Sequence, residues 1–353
     1  MGRRPFRIPT DGPAFLEVVS HGRGGSGASA RLTTGQIEQI RRTVQRTPEA
    51  VVKVTGGGRN VGAVAAHIAY ISHHGRIELE TDDGQRVSKA GQKELLNDWH
   101  LDLSAGQYRP APRSAKNSVG GIKLVHNIVL SMPAPTPPQK VLAAAKTFAR
   151  EKFGLKYRYV MALHTHQRHP HVHLVVKAES LDAPRLHIDK AMLREWRQDF
   201  ARMMRDQGIA ANATPRVMRG RSKGAERDGR YRTKKRRSSY ALRDKVEGVA
   251  RELARSGTIR DPAHGKLAET RKAVVAGWLG VATLLDKQGE VALAGEVRQF
   301  VRDLPPVLTD RERIASALVR YVKGERAAQT RGDHPERQKT PERTSALTIG
   351  ISR

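Results

Sequence analysis

The feature that most constrains the fold of this chain is a ten-residue run that holds five histidines. It reads HTHQRHPHVH over residues 164–173 and leads into the apolar sequence LVV. His171 and His173 are two residues apart, so on a β-strand both side chains project from the same face. Another strand-like run, YVMAL, ends just before His164, and a turn at residues 167–170 would connect the two. The pattern predicts a β-hairpin that brings the three histidines together.

Three neutral imidazoles on one face form an open site for a divalent transition metal, with positions left for a substrate oxygen. A zinc protease is a poorer fit, because the chain contains no HExxH sequence. A closed structural zinc site is disfavoured because the chain contains no cysteine. The alternative interpretation is a chance basic turn whose histidines only pack or lie at the surface.

The charge of the chain points to a polyanionic partner. Its 353 residues include 64 Lys and Arg against 35 Asp and Glu, which gives a net charge of +29 and a pI near 11.0. Such an excess opposes compaction unless a polyanion neutralises it. Nucleic acid is therefore the expected partner, and an anionic membrane surface is the alternative. Aromatic residues make up only 5% of the chain, which argues against recognition by extensive base stacking.

Composition also predicts where the protein works. We find no apolar segment long enough to span a bilayer and no signal peptide at the start of the sequence, so no membrane span is expected. The absence of cysteine excludes disulfides and fits a cytoplasmic protein.

Composition shifts divide the chain into five predicted stretches. They are a basic, largely disordered N-terminal arm (1–50), a domain with all the candidate chemistry (51–215), a basic linker or DNA-binding arm (216–238), a helical region (239–324) and a disordered tail (325–353).

Periodicity within residues 51–215 predicts an α+β fold, an antiparallel β-sheet with helices on one face, followed by the helical C-terminal region. Strand signals lie at 51–54, 124–133, 159–163 and 171–176, a hairpin at 77–87 and a short edge strand at 186–188. Helix signals lie at 34–45, 61–72, 137–153 and 191–207, the last stopped by Gly208.

Three glycines follow the first strand signal, at residues 56–58. A phosphate-binding loop would need a Gly-Lys-Ser/Thr sequence, which does not follow them, and GxGxxG spacing is also absent. The glycines are better explained by a sharp turn or by close approach to a DNA backbone.

One tyrosine has unusual neighbours. Tyr70 and His67 share the helical segment 61–72, and the sequence His73-His74-Gly75-Arg76 follows directly. Cations around a tyrosine would stabilise a phenolate or hold a phosphate, as a nucleophile requires. The alternative is an ordinary packed tyrosine.

Taken together, these segments resemble a conjugative relaxase, a single-tyrosine HUH endonuclease of the T-DNA-processing and IncP-type mobilisation class. HIAYISHHG around Tyr70 resembles the first motif of this family, which carries the nucleophilic tyrosine. VLSMP at 129–133 resembles the second motif, and HTHQRHPHVHLVV at 164–176 resembles the third, metal-binding motif. The tyrosine precedes the histidines, as in relaxases, whereas rolling-circle initiators carry it afterwards. The resemblance spans roughly residues 51–215.

The resemblance implies roles for individual residues. His164, His171 and His173 would be the metal ligands, Tyr70 the nucleophile, and Ser131 a contact to DNA beside the nick. Where this chain has His166, the family commonly has an aspartate, which orients a ligand histidine or helps to deprotonate the tyrosine. A neutral imidazole can accept a proton but cannot supply the negative charge, so His166 is predicted to serve catalysis as a proton acceptor.

The implied activity is metal-dependent nicking and religation at a transfer origin through a 5′-phosphotyrosyl link. The cofactor would be a divalent metal, Mg²⁺ or Mn²⁺ ahead of Zn²⁺. The partner would be DNA, as a single strand or a supercoiled origin, with accessory mobilisation proteins and a type IV secretion coupling protein. Further predicted DNA contacts are Arg76, Lys234, Lys235, Arg236 and Arg237.

Two other functions stay open at this point. The first is a rolling-circle replication or transposition nuclease with the same core, which the motif order disfavours. The second is a non-catalytic basic protein that binds DNA or RNA and whose histidines only pack or chelate.

Overall fold

The computed structural model describes residues 31–101, 103, 122–182, 184–221 and 240–332. The regular elements, in chain order, are α1 (Thr34–Val44), β1 (Val51–Gly56), α2 (Val61–Ile71), β2 (Leu79–Thr81), β3 (Arg86–Val87), α3 (Gln92–Asp98), β4 (Val125–Ser131), α4 (Pro138–Phe153), β5 (Tyr159–His164), β6 (His171–Lys177), α5 (Lys190–Asp206), α6 (Tyr240–Ser256), α7 (Ala263–Lys287), α8 (Val291–Arg302) and α9 (Asp310–Gly332). None of the helices within these ranges is both long enough and apolar enough to cross a membrane.

The described residues fall into two compact units. The first comprises those up to Arg221 together with Thr270–Pro305, and the second comprises those of Ser222–Glu269 and Pro306–Arg353. In the second unit, α6 and α9 pack together, and the imidazole Nδ1 of His264 lies 2.9 Å from a carboxylate oxygen of Glu312.

A six-stranded sheet forms the centre of the first unit. Its strand order is β1-β4-β6-β5-β2-β3, and every neighbouring pair is antiparallel. The predicted α+β class, with an antiparallel sheet and a helical C-terminal region, is confirmed. The hairpin at the far edge is also confirmed, because β2 pairs with β3 around Gly84, whose φ is +84°.

Helices cover both faces of this sheet, whereas the sequence predicted helices on one face. Val172 and Leu174 of β6 belong to the core formed with α4 and α5, which includes Phe148. Val175 points to the opposite face and joins a second core with Ile68 of α2. The central strands are apolar on both faces, so both faces must be shielded from water.

A third core joins distant parts of the chain within the first unit. Ile40 of α1 packs with Trp278 of α7 and Val297 of α8, and all three side chains are fully buried. The indole Nε1 of Trp278 donates a hydrogen bond to the carbonyl of Met218 over 2.8 Å. The predicted helix at 34–45 is confirmed as α1, and a capping box at Thr33 begins it.

The predicted edge strand at 186–188 was wrong. This segment is irregular, since the Leu186 N–H donates to the carbonyl of Ala178 while its own carbonyl accepts a hydrogen bond from the imidazole Nε2 of His126 at 3.1 Å. A side chain therefore takes the acceptor that a strand ladder would need. The helix predicted at 191–207 is confirmed as α5, and Gly208 follows it with a φ of +75°.

Several predicted features lie outside the described residues. They include Lys234, Lys235, Arg236 and Arg237 of the basic arm, and the end of the predicted tail. Helix α9 continues to Gly332, past the predicted boundary at residue 324.

Candidate functional site

The hairpin of β5 and β6 assembles the three histidines as the sequence predicts. His164 lies directly opposite His171 in the strand register. His173 lies opposite Ala162, two residues further along β6, and so projects from the same face. One ring nitrogen of each lies within 4.8 Å of the others. All three side chains are buried, with at most 9% of their surface exposed. These three histidines form the inner triad.

Backbone carbonyls fix the orientation of two of these rings. His164 Nε2 lies 2.6 Å from the carbonyl of Ile71, and His171 Nδ1 lies 3.0 Å from the carbonyl of His169. Because a carbonyl can only accept, each of these nitrogens carries the proton, which leaves His164 Nδ1 and His171 Nε2 with the lone pairs. His173 Nδ1 is buried and has no hydrogen-bond partner among the described residues. A bound metal ion would explain why this buried nitrogen has no hydrogen-bond partner.

Burial keeps the inner triad unprotonated at neutral pH. Loss of solvation lowers the pKa of His164 to about 4 and that of His173 to about 3, with the neighbouring histidines adding to the effect. Burial also lowers the pKa of His171. Metal binding requires neutral imidazoles, so these residues fit a divalent transition metal.

Helix α2 places Tyr70 beside the inner triad. The helix begins at Asn60, whose side chain accepts a hydrogen bond from the Ala63 N–H, and Tyr70 lies in its last turn. The tyrosine ring centroid is 6.1 Å from that of His173 and 5.9 Å from that of His67. Since 49% of the Tyr70 side chain is exposed, the phenol remains accessible to a substrate.

The electrostatic surroundings of Tyr70 differ from the expected ring of cations. Burial lowers the pKa of His67, so this ring is neutral at neutral pH. The pKa of His73 is also lowered, by partial desolvation first and then by His166 and Arg76. The guanidinium of Arg76 follows in the same segment, and its side chain is exposed.

His166 and Tyr70 contact different rings of the cluster. Its ring contacts are with His73 at 4.6 Å, His164 at 5.2 Å and His171 at 6.1 Å. The ring contacts of Tyr70 are instead with His67 and His173. The structure thus groups His166 with His73, a residue to which sequence reasoning gave no metal role.

Ser131 ends β4 on the face of the sheet that carries the inner triad. It lies opposite His171 in the register, and its hydroxyl donates to the carbonyl of Pro170 over 3.0 Å. Three residues further along the chain, the backbone N–H of Ala134 donates to Nδ1 of His169 over 3.0 Å. These two bonds attach the histidine turn to the end of β4.

Sequence reasoning missed Lys53 as a neighbour of the site. It lies opposite Val129 on the same sheet face as Ser131, and its side chain is exposed. The alternation within β1 indicated that Lys53 and Val52 point to opposite faces. The sequence did not indicate that β1 pairs with β4, which is what places Lys53 on the same face as Ser131.

The glycines after β1 pack against the protein itself. A Cβ on Gly57 would lie 2.2 Å from the carbonyl oxygen of Val125, and one on Gly58 would lie 2.4 Å from a methyl group of Val64. The close approach that we expected is therefore to β4 and α2, and it fixes the start of the helix that carries Tyr70.

Comparison with known proteins agrees with this geometry. Residues 107–209 match the family model of the MobA/VirD2-like relaxase nuclease domain. This segment is therefore similar to relaxase nuclease domains. The match includes β4 with Ser131 and the whole hairpin with its histidines, and Tyr70 precedes it in the chain. The predicted relationship to conjugative relaxases is confirmed.

Curated proteins similar to this chain are T-DNA border endonucleases named VirD2. The protein of Agrobacterium fabrum strain C58 is 24% identical over an alignment of 215 residues, and the match covers 55% of this chain and 46% of that protein. The proteins of Rhizobium radiobacter and Rhizobium rhizogenes are 26% and 24% identical over alignments of 192 residues. These matches cover 49% of this chain and 43% and 42% of those proteins. The chain thus spans less than half the length of these relatives. No solved structure matches it significantly.

Proposed function

We propose that this protein is a metal-dependent nickase that cuts and reseals one DNA strand at a transfer origin and so initiates conjugative transfer or mobilisation. The observation that carries this proposal is the position of Tyr70, whose ring lies 6.1 Å from His173 of the inner triad and is half exposed. A nucleophile beside a metal centre is the arrangement that phosphodiester transfer needs.

The reaction balances as a transesterification. The phenol oxygen of Tyr70 attacks phosphorus in line, a tyrosyl–phosphorus bond forms, and the bond from phosphorus to the 3′-oxygen breaks. The phenol proton passes to a base and the departing 3′-oxygen takes up a proton, which leaves a 5′-phosphotyrosyl link that the 3′-hydroxyl can later attack. When bound, the divalent metal would act as a Lewis acid that polarises the scissile phosphate and screens its charge.

Two histidines are candidates for the base. His166 is the candidate from the sequence, because it stands where the family commonly has aspartate. His67 is the candidate from the ring contacts, because it lies 5.9 Å from Tyr70 and burial keeps it neutral. The pH profile of nicking by His166→Gln and by His67→Gln separates the two, since only loss of the base changes its acidic limb.

The metal and the partners follow from the same chemistry. Three imidazoles suit Zn²⁺ best and Mg²⁺, which prefers oxygen ligands, least. Mn²⁺ combines imidazole binding with a preference for oxygen ligands such as those of a phosphate, so Mn²⁺ is our first choice. DNA is the substrate, with contacts from Ser131, Arg76 and the basic arm. Accessory mobilisation proteins and a type IV secretion coupling protein would complete the process, and the lack of cysteine supports a cytoplasmic place for it.

The test is Tyr70→Phe, with Tyr240→Phe as its control on the second compact unit. Each protein is incubated with Mn²⁺ and a supercoiled plasmid that carries the DNA adjoining its own gene, and the products are separated in detergent. We expect Tyr70→Phe to bind this DNA but neither nick it nor become linked to it, while Tyr240→Phe behaves as the native protein. Labelled DNA retained on denatured Tyr70→Phe would refute the assignment.

Other results would favour the alternatives. If neither the native protein nor Tyr240→Phe nicks or links DNA, the non-catalytic binding protein becomes the better description. Nicks at a replication origin instead of a transfer origin would favour the replication nuclease.

A further inference from the structure

A second group of three histidines overlaps the inner triad. It consists of His73, His164 and His166, with one ring nitrogen of each within 4.8 Å of the others. The ring of His73 lies 4.5 Å from that of His164 and 4.6 Å from that of His166. We call this group the outer triad, because His73 is only partly buried and His166 is exposed.

The two triads share a single lone pair. His164 belongs to both, and its Nε2 carries the proton that it donates to the carbonyl of Ile71 at 2.6 Å. Only Nδ1 of His164 is left to bind a metal. One imidazole nitrogen serves one ion, so an ion in the outer triad and an ion in the inner triad exclude each other.

The backbone after α2 is held in a strained form that places His73 in this group. His73 and His74 have φ of +49° and +59°, a left-handed conformation that is unfavourable for residues other than glycine. The His74 N–H donates to the carbonyl of Ala69 over 2.7 Å, and Ile77 N–H donates to that of Ser72 over 2.9 Å. Such strain concentrates at functional positions, and here it directs His73 toward His164.

We propose that the outer triad is a second position for the same divalent transition metal, alternative to the inner triad and open to solvent. The ion enters at His73 and His166 and then moves to His171 and His173 while His164 holds it throughout. The ligand class is a divalent cation that binds imidazole, of which Co²⁺ and Zn²⁺ bind more tightly than Mn²⁺. The proposal rests on the proposed function in one respect, namely that the inner triad holds the catalytic metal.

The experiment measures Co²⁺ binding to the full chain without DNA, by titration and by the visible spectrum of bound Co²⁺. We expect the native protein to bind one equivalent. His171→Gln/His173→Gln should also bind one equivalent, with a different spectrum, through the outer triad. His73→Ala/His166→Ala should bind one equivalent with the native spectrum and at least a tenfold slower uptake. The variant with all four changes should bind none.

The controls are His74→Ala and His169→Ala, which lie next to the cluster but belong to neither triad, and both should match the native protein in stoichiometry and uptake. Circular dichroism verifies that each variant is folded; should the glutamine pair fail to fold, His171→Asn/His173→Asn replaces it. Two equivalents bound to the native protein would overturn mutual exclusion. No binding by a folded His171→Gln/His173→Gln would overturn the outer site. A protein that binds Co²⁺ as expected yet never nicks DNA would refute the proposed function alone.

Discussion

The two faces of strand β6 differ although their residues alternate along the same seven positions. On one face, Val172 and Leu174 pack into the core formed with α4 and α5. On the other face, His171 and His173 belong to the histidine cluster, and only Val175 joins the core with α2. Alternate residues of β6 thus contribute to core packing or to the histidine cluster, because successive side chains point to opposite faces.

The histidine face of β6 destabilises the fold, and the packing of the apolar face offsets this loss. Nδ1 of His173 is buried without a partner among the described residues, and such a group costs about 1–3 kcal/mol in a folded protein. Hydrogen bonds to the carbonyls of Ile71 and His169 limit this cost for His164 and His171. Mutations on the histidine face should therefore reduce nicking without lowering the free energy of unfolding. Mutations on the apolar face should lower the free energy of unfolding without changing metal affinity.

The largest expected effect is on the histidine face. We expect His173→Ala to abolish metal-dependent nicking, because two imidazoles remain of three, while the free energy of unfolding in a chelator stays equal or rises. His169→Ala, on the turn, should reduce nicking by less than tenfold. Plasmid nicking and urea denaturation measure the two quantities. If His173→Ala lowered the unfolding free energy by several kcal/mol, the separation of the faces would be wrong.

The matched change on the apolar face is Leu174→Ala. Its side chain is 1% exposed, so we expect a loss of about 2–5 kcal/mol in unfolding free energy from lost burial and the cavity left behind. The affinity of the folded protein for Mn²⁺ should not change. Urea denaturation and metal titration at a temperature where the variant is folded test both statements. A tenfold weaker affinity would show that the faces are coupled.

A smaller effect concerns pH. The folded-state pKa values of His164 and His173, about 4 and about 3, lie below the usual 6.5. Between those values and 6.5 the unfolded chain binds more protons, so stability without metal is complete above pH 6.5 and falls as the pH drops toward 4. The slope is up to about 1.4 kcal/mol per pH unit for each group. Urea denaturation in a chelator at pH 7, 6 and 5 should show a shallower slope for His173→Asn than for the native protein. Equal slopes would contradict the burial argument.

The smallest effect is expected from the basic arm, which belongs to neither face. We expect alanine at Lys234, Lys235, Arg236 and Arg237 to weaken DNA binding similarly on all sequences and to leave the nick position unchanged. Each lost phosphate contact should flatten the plot of log affinity against log salt by about 0.7–0.9. Binding measured at several salt concentrations tests this. An unchanged slope would mean that the run is only a linker.

The hairpin and the inner triad could be predicted because their information is local. Alternation fixes the face of His171 and His173, and the turn fixes the register that brings His164 opposite. Contacts between distant segments could not be predicted. The carbonyl of Ile71 that orients His164 comes from α2, and the grouping of His73 with His166 depends on a strained turn that no propensity favours.

The same limit explains the errors in the fold. The apolar sequences of β4, β5 and β6 are compatible with one covered face or two, so the helices on the second face left no separate signal. At residues 186–188, short-range propensity favoured a strand, but the imidazole of His126 binds the carbonyl of Leu186. A competing side chain so far away in sequence is not visible in a local pattern.

The discontinuity of the first compact unit has a practical consequence. The chain leaves this unit after Arg221 and re-enters it at Thr270. Noncovalent packing of Ile40 against Trp278 and Val297 holds the two portions together. A protease that cleaves between residues 222 and 269 would therefore produce two pieces that remain associated. Under native conditions such a nicked preparation would elute as one species, and only a denaturant would separate its pieces. The first compact unit could accordingly be assembled from two separately expressed polypeptides.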